Sequence, residues 1–152
     1  MKTWNMQTQL AQGRLAEADF IERCHLDLVQ VPGKGLWDFD SSCGLKVELK
    51  SDTYPMEKTA NFFMERWSVI EQDKPGGPWQ SLEKGADTFI YLFANSNTYF
   101  QFLDLPALVD RLDVLTKDSD LVRIKNVRWT TGGFKVRRDD LKDLYQIFEW
   151  ED

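Results

Sequence analysis

LWDFDSSCGLKVELKSD, residues 36–52, decides how the chain is read. Two runs of alternating apolar and polar residues flank a turn at Ser41 to Gly44, the pattern of a β-hairpin. In the second run alternation puts Lys46, Glu48 and Lys50 on one face and Leu45, Val47 and Leu49 on the other. The first run adds Asp38 and Asp40, which share a face, and Asp52 follows at the end of the second. The plainest reading is a solvated hairpin, with Asp52 a strand end or salt-bridge partner. The alternative is that some of these charges converge on a ligand that rewards their closeness.

Outward from the hairpin, the apolar spacing of Leu10, Leu15, Phe20, Ile21, Cys24 and Leu28 predicts a helix over 7–29 that ends before Pro32, Gly33 and Gly35. Glu17 falls on its apolar side, where a carboxylate needs a partner. TANFFMERWSVI predicts a third strand. KPGGPWQSLEKGA predicts a loop with at most a helical turn at Trp79 to Lys84. Residues 86–105 predict a buried hairpin joined at Asn95, Ser96 and Asn97. A helix over Leu105 to Leu115 is opened by Asp104 and Pro106. Residues 120–137 predict one or two short strands broken at Gly132 and Gly133, and an amphipathic helix is expected from Asp139 or Asp140 through Leu141, Leu144, Tyr145 and Phe148.

The 152 residues fit one domain of α/β class. Aromatic content is 13%, with six Trp, and no apolar run reaches the roughly 20 residues of a membrane span. The first twenty residues lack the apolar core of a signal peptide, so a cytoplasmic protein with no membrane association is expected. Cys24 and Cys43 lack zinc-site spacing and are expected to be reduced packing residues. His25 is the only histidine, which excludes chemistry needing two imidazoles, and a core or surface role is expected for it. The net charge of −6 argues against nonspecific coating of nucleic acid. Charge is segregated, however: residues 121–138 carry Arg123, Lys125, Arg128, Lys135, Arg137 and Arg138 and no acid.

An acid, nine residues, then Glu48, Leu49 and Lys50 supply two carboxylates and a peptide carbonyl. These are hard oxygen ligands suited to Mg²⁺ with an ammonium beside it. The pattern E-x-K alone is common as ordinary alternating surface charge, so its weight comes from context. WDF, VELKSD, TANFFMER, the KPGGP loop and GADTFIYLF, in this order, resemble the PD-(D/E)xK nuclease superfamily, and in particular its small single-domain members from phages and prophages.

The resemblance implies a restriction-endonuclease-like mixed β-sheet flanked by α-helices over residues 1–152, and an Mg²⁺- or Mn²⁺-dependent DNA endonuclease. It makes Asp38 and Glu48 the metal-binding carboxylates, Leu49 the carbonyl donor, Lys50 the catalytic lysine and Glu17 an outer acid. It favours Asp38 over Asp40, which periodicity alone leaves open. Trp37 stands where the family's proline would be, Ala60 replaces a glycine and Gly77 a serine. Asn61 and Glu65, four apart, would support the site or form a solvated edge. The basic run would contact the DNA backbone or pair with acidic neighbours, and Trp79 and Trp129 would stack on bases or cap the core. Cutting both strands of a duplex would call for a homodimer. The rival reading is a catalytically inactive nuclease fold or acidic interaction protein acting on a DNA-binding partner.

Overall fold

A computed structural model describes Phe20, Cys24, residues 27–31 and residues 37–151. Glu17, His25 and most of the expected first helix lie outside the described residues; Phe20 is helical. The strands are β1 (Leu28–Gln30), β2 (Phe39–Ser41), β3 (Lys46–Asp52), β4 (Asn61–Val69) and β5 (Lys74–Pro75). After helix α1 (Gly77–Glu83) come β6 (Thr88–Phe93) and β7 (Thr98–Phe102). Helix α2 (Leu105–Leu115) leads to β8 (Val122–Lys125), β9 (Thr130–Arg137) and β10 (Gln146–Glu149). No helix among the described residues is long and apolar enough to cross a membrane.

The strands form two sheets, giving a mixed α/β fold. The first runs in the order β1, β2, β3, β6, β7, β10, and the second β5, β4, β9, β8. All pairings are antiparallel except β3 with β6, where Glu48 lies beside Phe89 and Lys50 beside Tyr91. Strands β6 and β7 are buried throughout, as expected for the middle of a sheet covered on both faces. One face offers Phe89, Tyr91, Phe93, Phe100 and Phe102 to Phe62 and Met64 of β4 and to the apolar side of α2. The opposite face packs Phe39, Val47, Ile90, Leu92 and Tyr99 against Phe20 and Leu28. Glu48, Lys50 and Asp52, alternating with Val47, therefore share the face turned toward the second sheet.

Local signals account for several elements. Gly44 takes a positive φ of 87° in the β2–β3 turn, and Asn97, at φ 49°, closes the β6–β7 hairpin. The Asp104 side chain accepts the Ala107 N–H at 3.1 Å and caps α2. Four expectations are corrected. Leu28–Gln30 is a strand, because the edge of β2 offers it a ladder, so the first helix cannot reach residue 29. The stretch after KPG holds seven residues of α-helix, more than one turn, seated where Gly76 and Gly77 lie so close to Glu65 that a Cβ at either would collide with it.

Gly132 and Gly133 do not break a strand. They let β9 run on, since a Cβ at Gly133 would stand 2.5 Å from the Phe63 ring and 2.8 Å from the Met64 carbonyl. The last amphipathic helix is absent: a short 3-10 turn at Arg138–Leu141 gives way to β10, which pairs with the open edge of β7 and stacks Phe148 on Tyr99. Cys24 packs against the second core, whereas Cys43 is exposed in the hairpin turn, its sulfur 3.2 Å from the Ser41 hydroxyl. That hydrogen bond, with the Leu45 backbone, lowers the Cys43 thiol below its usual range.

Candidate functional site

The candidate site lies where β3 runs on past its pairing with β2 while still paired with β6. The Leu49 N–H donates to Asp38 Oδ2 at 2.8 Å, and the Asp38 N–H donates to the Val47 carbonyl at 3.1 Å. Asp38 is thus held beside the peptide between Glu48 and Leu49. The N–H and C=O of one strand residue leave the same edge, so the Leu49 carbonyl points to the side from which Asp38 approaches. Asp40 is engaged elsewhere, accepting the Trp37 indole N–H at 2.6 Å, while the Lys46 ammonium lies 4.7 Å from the Trp37 ring centre. Periodicity left Asp38 and Asp40 equivalent, and the hydrogen bonds separate them.

Asp38, Glu48, Leu49 and Lys50 come together on β3 and the residue preceding β2. All the donors offered to a cation are oxygens, which fits Mg²⁺ or Mn²⁺ better than a soft metal. Among the described residues no group of three or more His, Cys, Asp or Glu side chains gathers as a metal cluster. Glu17, the outer acid implied by the resemblance, lies outside the described residues.

Beyond Lys50 opens a cleft of about 610 Å³ between the end of β3 and the start of β4. Lys50, Lys58 and Lys135 line it, together with Asp52, Tyr54 and Asn61. Asp52 is the one acid among the lining residues, and its carboxylate accepts both the Tyr91 hydroxyl and, at 2.9 Å, the Tyr54 N–H. Tyr91 also accepts the Phe63 N–H at 3.1 Å, so one buried phenol ties β6 to both walls of the cleft. Burial, then the bond to Asp52, pushes the Tyr91 phenol above its usual value.

Tyr91→Phe is expected to destabilise the fold by about 1–3 kcal/mol, because it leaves the Phe63 N–H without its acceptor and takes one of two donors from Asp52. The pH dependence carries a sign. With the folded phenol raised, stability is full below the ordinary tyrosine value near 10 and declines above it, as the unfolded chain sheds its proton first. Urea unfolding at pH 8 and pH 10.5 should therefore show a smaller alkaline loss in Tyr91→Phe than in the wild type. Equal losses would contradict this role for the phenol.

The basic run does not share one face. By register Arg123 and Lys125 sit opposite Gly132 and Thr130, whereas Lys135 and Arg137 sit opposite Phe63 and Asn61 on the other side of the second sheet. The Thr130 N–H and the Arg123 charge hold the Glu71 carboxyl below its usual range. Arg128 is exposed in the β8–β9 turn. Arg137 lies 4.0 Å from Asp139. Arg138 donates to the Thr59 carbonyl at 2.6 Å, with its guanidinium 5.6 Å from the Phe93 ring, and is therefore tied into the fold. Of the six, Lys135 alone lines the cleft.

Asn61 lines the cleft, but Glu65, four residues further along β4, does not; the Glu65 side chain lies against Gly76. Trp79 is 7% exposed and donates to Asp113 at 2.8 Å, so it caps the core. Lys58, Tyr54 and the Asp52–Tyr91 pair were not anticipated. Lys58 and Tyr54 sit in an aperiodic connection, and Asp52 and Tyr91 lie 39 residues apart. No protein-family model matches the chain, and no curated protein matches it at significant similarity.

Proposed function

We propose that the protein is a metal-dependent DNA endonuclease on a restriction-endonuclease-like core. The observation that carries this reading is the 2.8 Å bond from the Leu49 N–H to Asp38, which brings the upstream acid to the Glu48–Leu49–Lys50 segment. Asp38, Glu48 and the Leu49 carbonyl would hold Mg²⁺ or Mn²⁺. A divalent cation bound there supplies Lewis acidity toward a phosphodiester and an acidified water. Lys50, one pleat beyond Glu48, places its ammonium where it can orient the attacking water and balance the charge of the phosphate. Lys58 and Lys135 give the approaching backbone a cationic wall despite the net charge of −6. Hydrolysis of both strands of a duplex would need a second copy of the chain.

The net charge and the lack of a third gathered acid among the described residues favour the rival reading of an inactive, acidic interaction protein. Metal titration separates the two. Isothermal titration with Mn²⁺ should show binding to the wild type that weakens at least about tenfold in Asp38→Ala and in Glu48→Ala, since each removes an anionic hard ligand. Plasmid nicking in Mg²⁺ that stops with EDTA should accompany it. Unchanged Mn²⁺ binding in Glu48→Ala, with no nicking by the wild type, would establish the inactive alternative.

A further inference from the structure

We infer that the cleft between β3 and β4 receives one unpaired nucleotide of the DNA strand, its phosphate on the lysines and its base on Tyr54. This rests on the nuclease reading and narrows its substrate to DNA with a single-stranded segment at the cut, such as a flap or a frayed end. Three observations carry it. The cavity, about 610 Å³, is of the size that takes one small ligand, far too small to admit the width of a duplex. Lys50, Lys58 and Lys135 line it, while Asp52, the one acid in the lining, already accepts two hydrogen bonds. The cleft therefore attracts an anion. Tyr54 lines the same space with 54% of its surface exposed, an aromatic plane on offer beside that charge.

Phosphate-binding cations next to an exposed aromatic ring are the pairing by which proteins hold single strands: charge tracks the backbone and any base stacks on the ring. A base inside a duplex has both faces covered and cannot use such a ring without leaving the stack. Asn61, with an amide that both donates and accepts, stands in the same lining and can meet a base edge. Lys50 belongs to both the cleft and the hydrolytic constellation, so a nucleotide seated here lies next to the phosphate being cut.

Fluorescence anisotropy with a labelled oligothymidine and a duplex of equal length, in EDTA, tests the cleft without any metal. The single strand should bind more tightly than the duplex. Tyr54→Ala should weaken single-strand binding about tenfold, the scale of one base stacked on a ring, and leave duplex binding unchanged. Lys58→Ala with Lys135→Ala should weaken single-strand binding and flatten its salt dependence by roughly one to two counterions. Equal affinity for the two substrates, or single-strand affinity indifferent to Tyr54, overturns the inference. The nuclease reading fails separately: wild-type protein that binds the oligothymidine through Tyr54 yet cuts neither flap nor duplex in Mg²⁺ or Mn²⁺ refutes hydrolysis and leaves the nucleotide cleft standing.

Discussion

Under the proposed hydrolysis, Lys50→Met is expected to lower metal-dependent cleavage by about 10²- to 10³-fold, the range for losing one preorganised stabilising group. Metal affinity should stay equal or rise. Lys50 extends from the central part of β3, beside Tyr91, and shares its face with Glu48. Removing its ammonium removes a charge that would repel a cation at the proposed ligands Asp38 and Glu48, while Met keeps the apolar stem. A ligand variant such as Glu48→Ala would instead lose affinity and activity together. Lys50→Arg is expected to fail as a replacement, because a broad planar guanidinium does not put its charge where a compact ammonium does. Single-turnover cleavage in Mn²⁺, read beside calorimetric binding, tests the assignment. Wild-type rates in Lys50→Met would remove Lys50 from the chemistry.

Phe62→Ala is expected to cost about 3–5 kcal/mol, a large share of the 5–15 kcal/mol typical of a domain. Phe62 is fully buried at the start of β4. Its ring meets Tyr91 at 4.8 Å, Phe100 at 4.9 Å, Phe102 at 5.7 Å, Tyr145 at 5.9 Å and Phe93 at 6.1 Å between centroids. It is the second sheet's wedge into the first, so its loss opens a cavity that neither sheet can close alone. Because Asn61 and Phe63 flank it in the cleft wall, the truncation should also weaken binding there. Urea unfolding monitored by tryptophan fluorescence measures the cost. A loss below about 1 kcal/mol, the scale of a surface substitution, would mean the two sheets are held by something else.

What was legible in the sequence was local. The β2–β3 hairpin announced itself through alternation and a glycine turn, the β6–β7 hairpin through Asn95 to Asn97, and α2 through Asp104 and Pro106. Strand β4 was read from its apolar run, but its partner β9 lies some seventy residues on, with Phe62 opposite Val136, and no local pattern encodes that pairing. The same holds for β10: Leu141, Leu144, Tyr145 and Phe148 have helical spacing, yet the open edge of β7 outweighs it. Gly132 and Gly133 were read as punctuation because their reason, the ring of Phe63, is remote in sequence.

The candidate site divides along the same line. Glu48, Lys50 and an upstream acid could be picked out because they share one hairpin. Periodicity left Asp38 and Asp40 open and the resemblance favoured Asp38; the hydrogen bond from Leu49 sets Asp38 beside the Glu48–Lys50 segment. The cationic run of 121–138 was visible as a string, but strand alternation distributes it over two faces, and Lys58 joins Lys135 in the cleft from a connection with no periodicity.

The parallel pairing of β3 with β6 sets the order in which the molecule can assemble. Residues 53–87 lie between these neighbours, and that connection contains β4, β5 and α1. Lys50 therefore gains its neighbour Tyr91 only after a long loop has closed around part of the second sheet, an entropic cost that falls before any contact repays it. The β2–β3 hairpin needs only local contacts, whereas the cleft needs Tyr91 to meet both Asp52 and Phe63 across that long connection. A refolding chain should thus recover amide protection in the β2–β3 hairpin before it recovers protection of the Phe63 N–H, which Tyr91 holds.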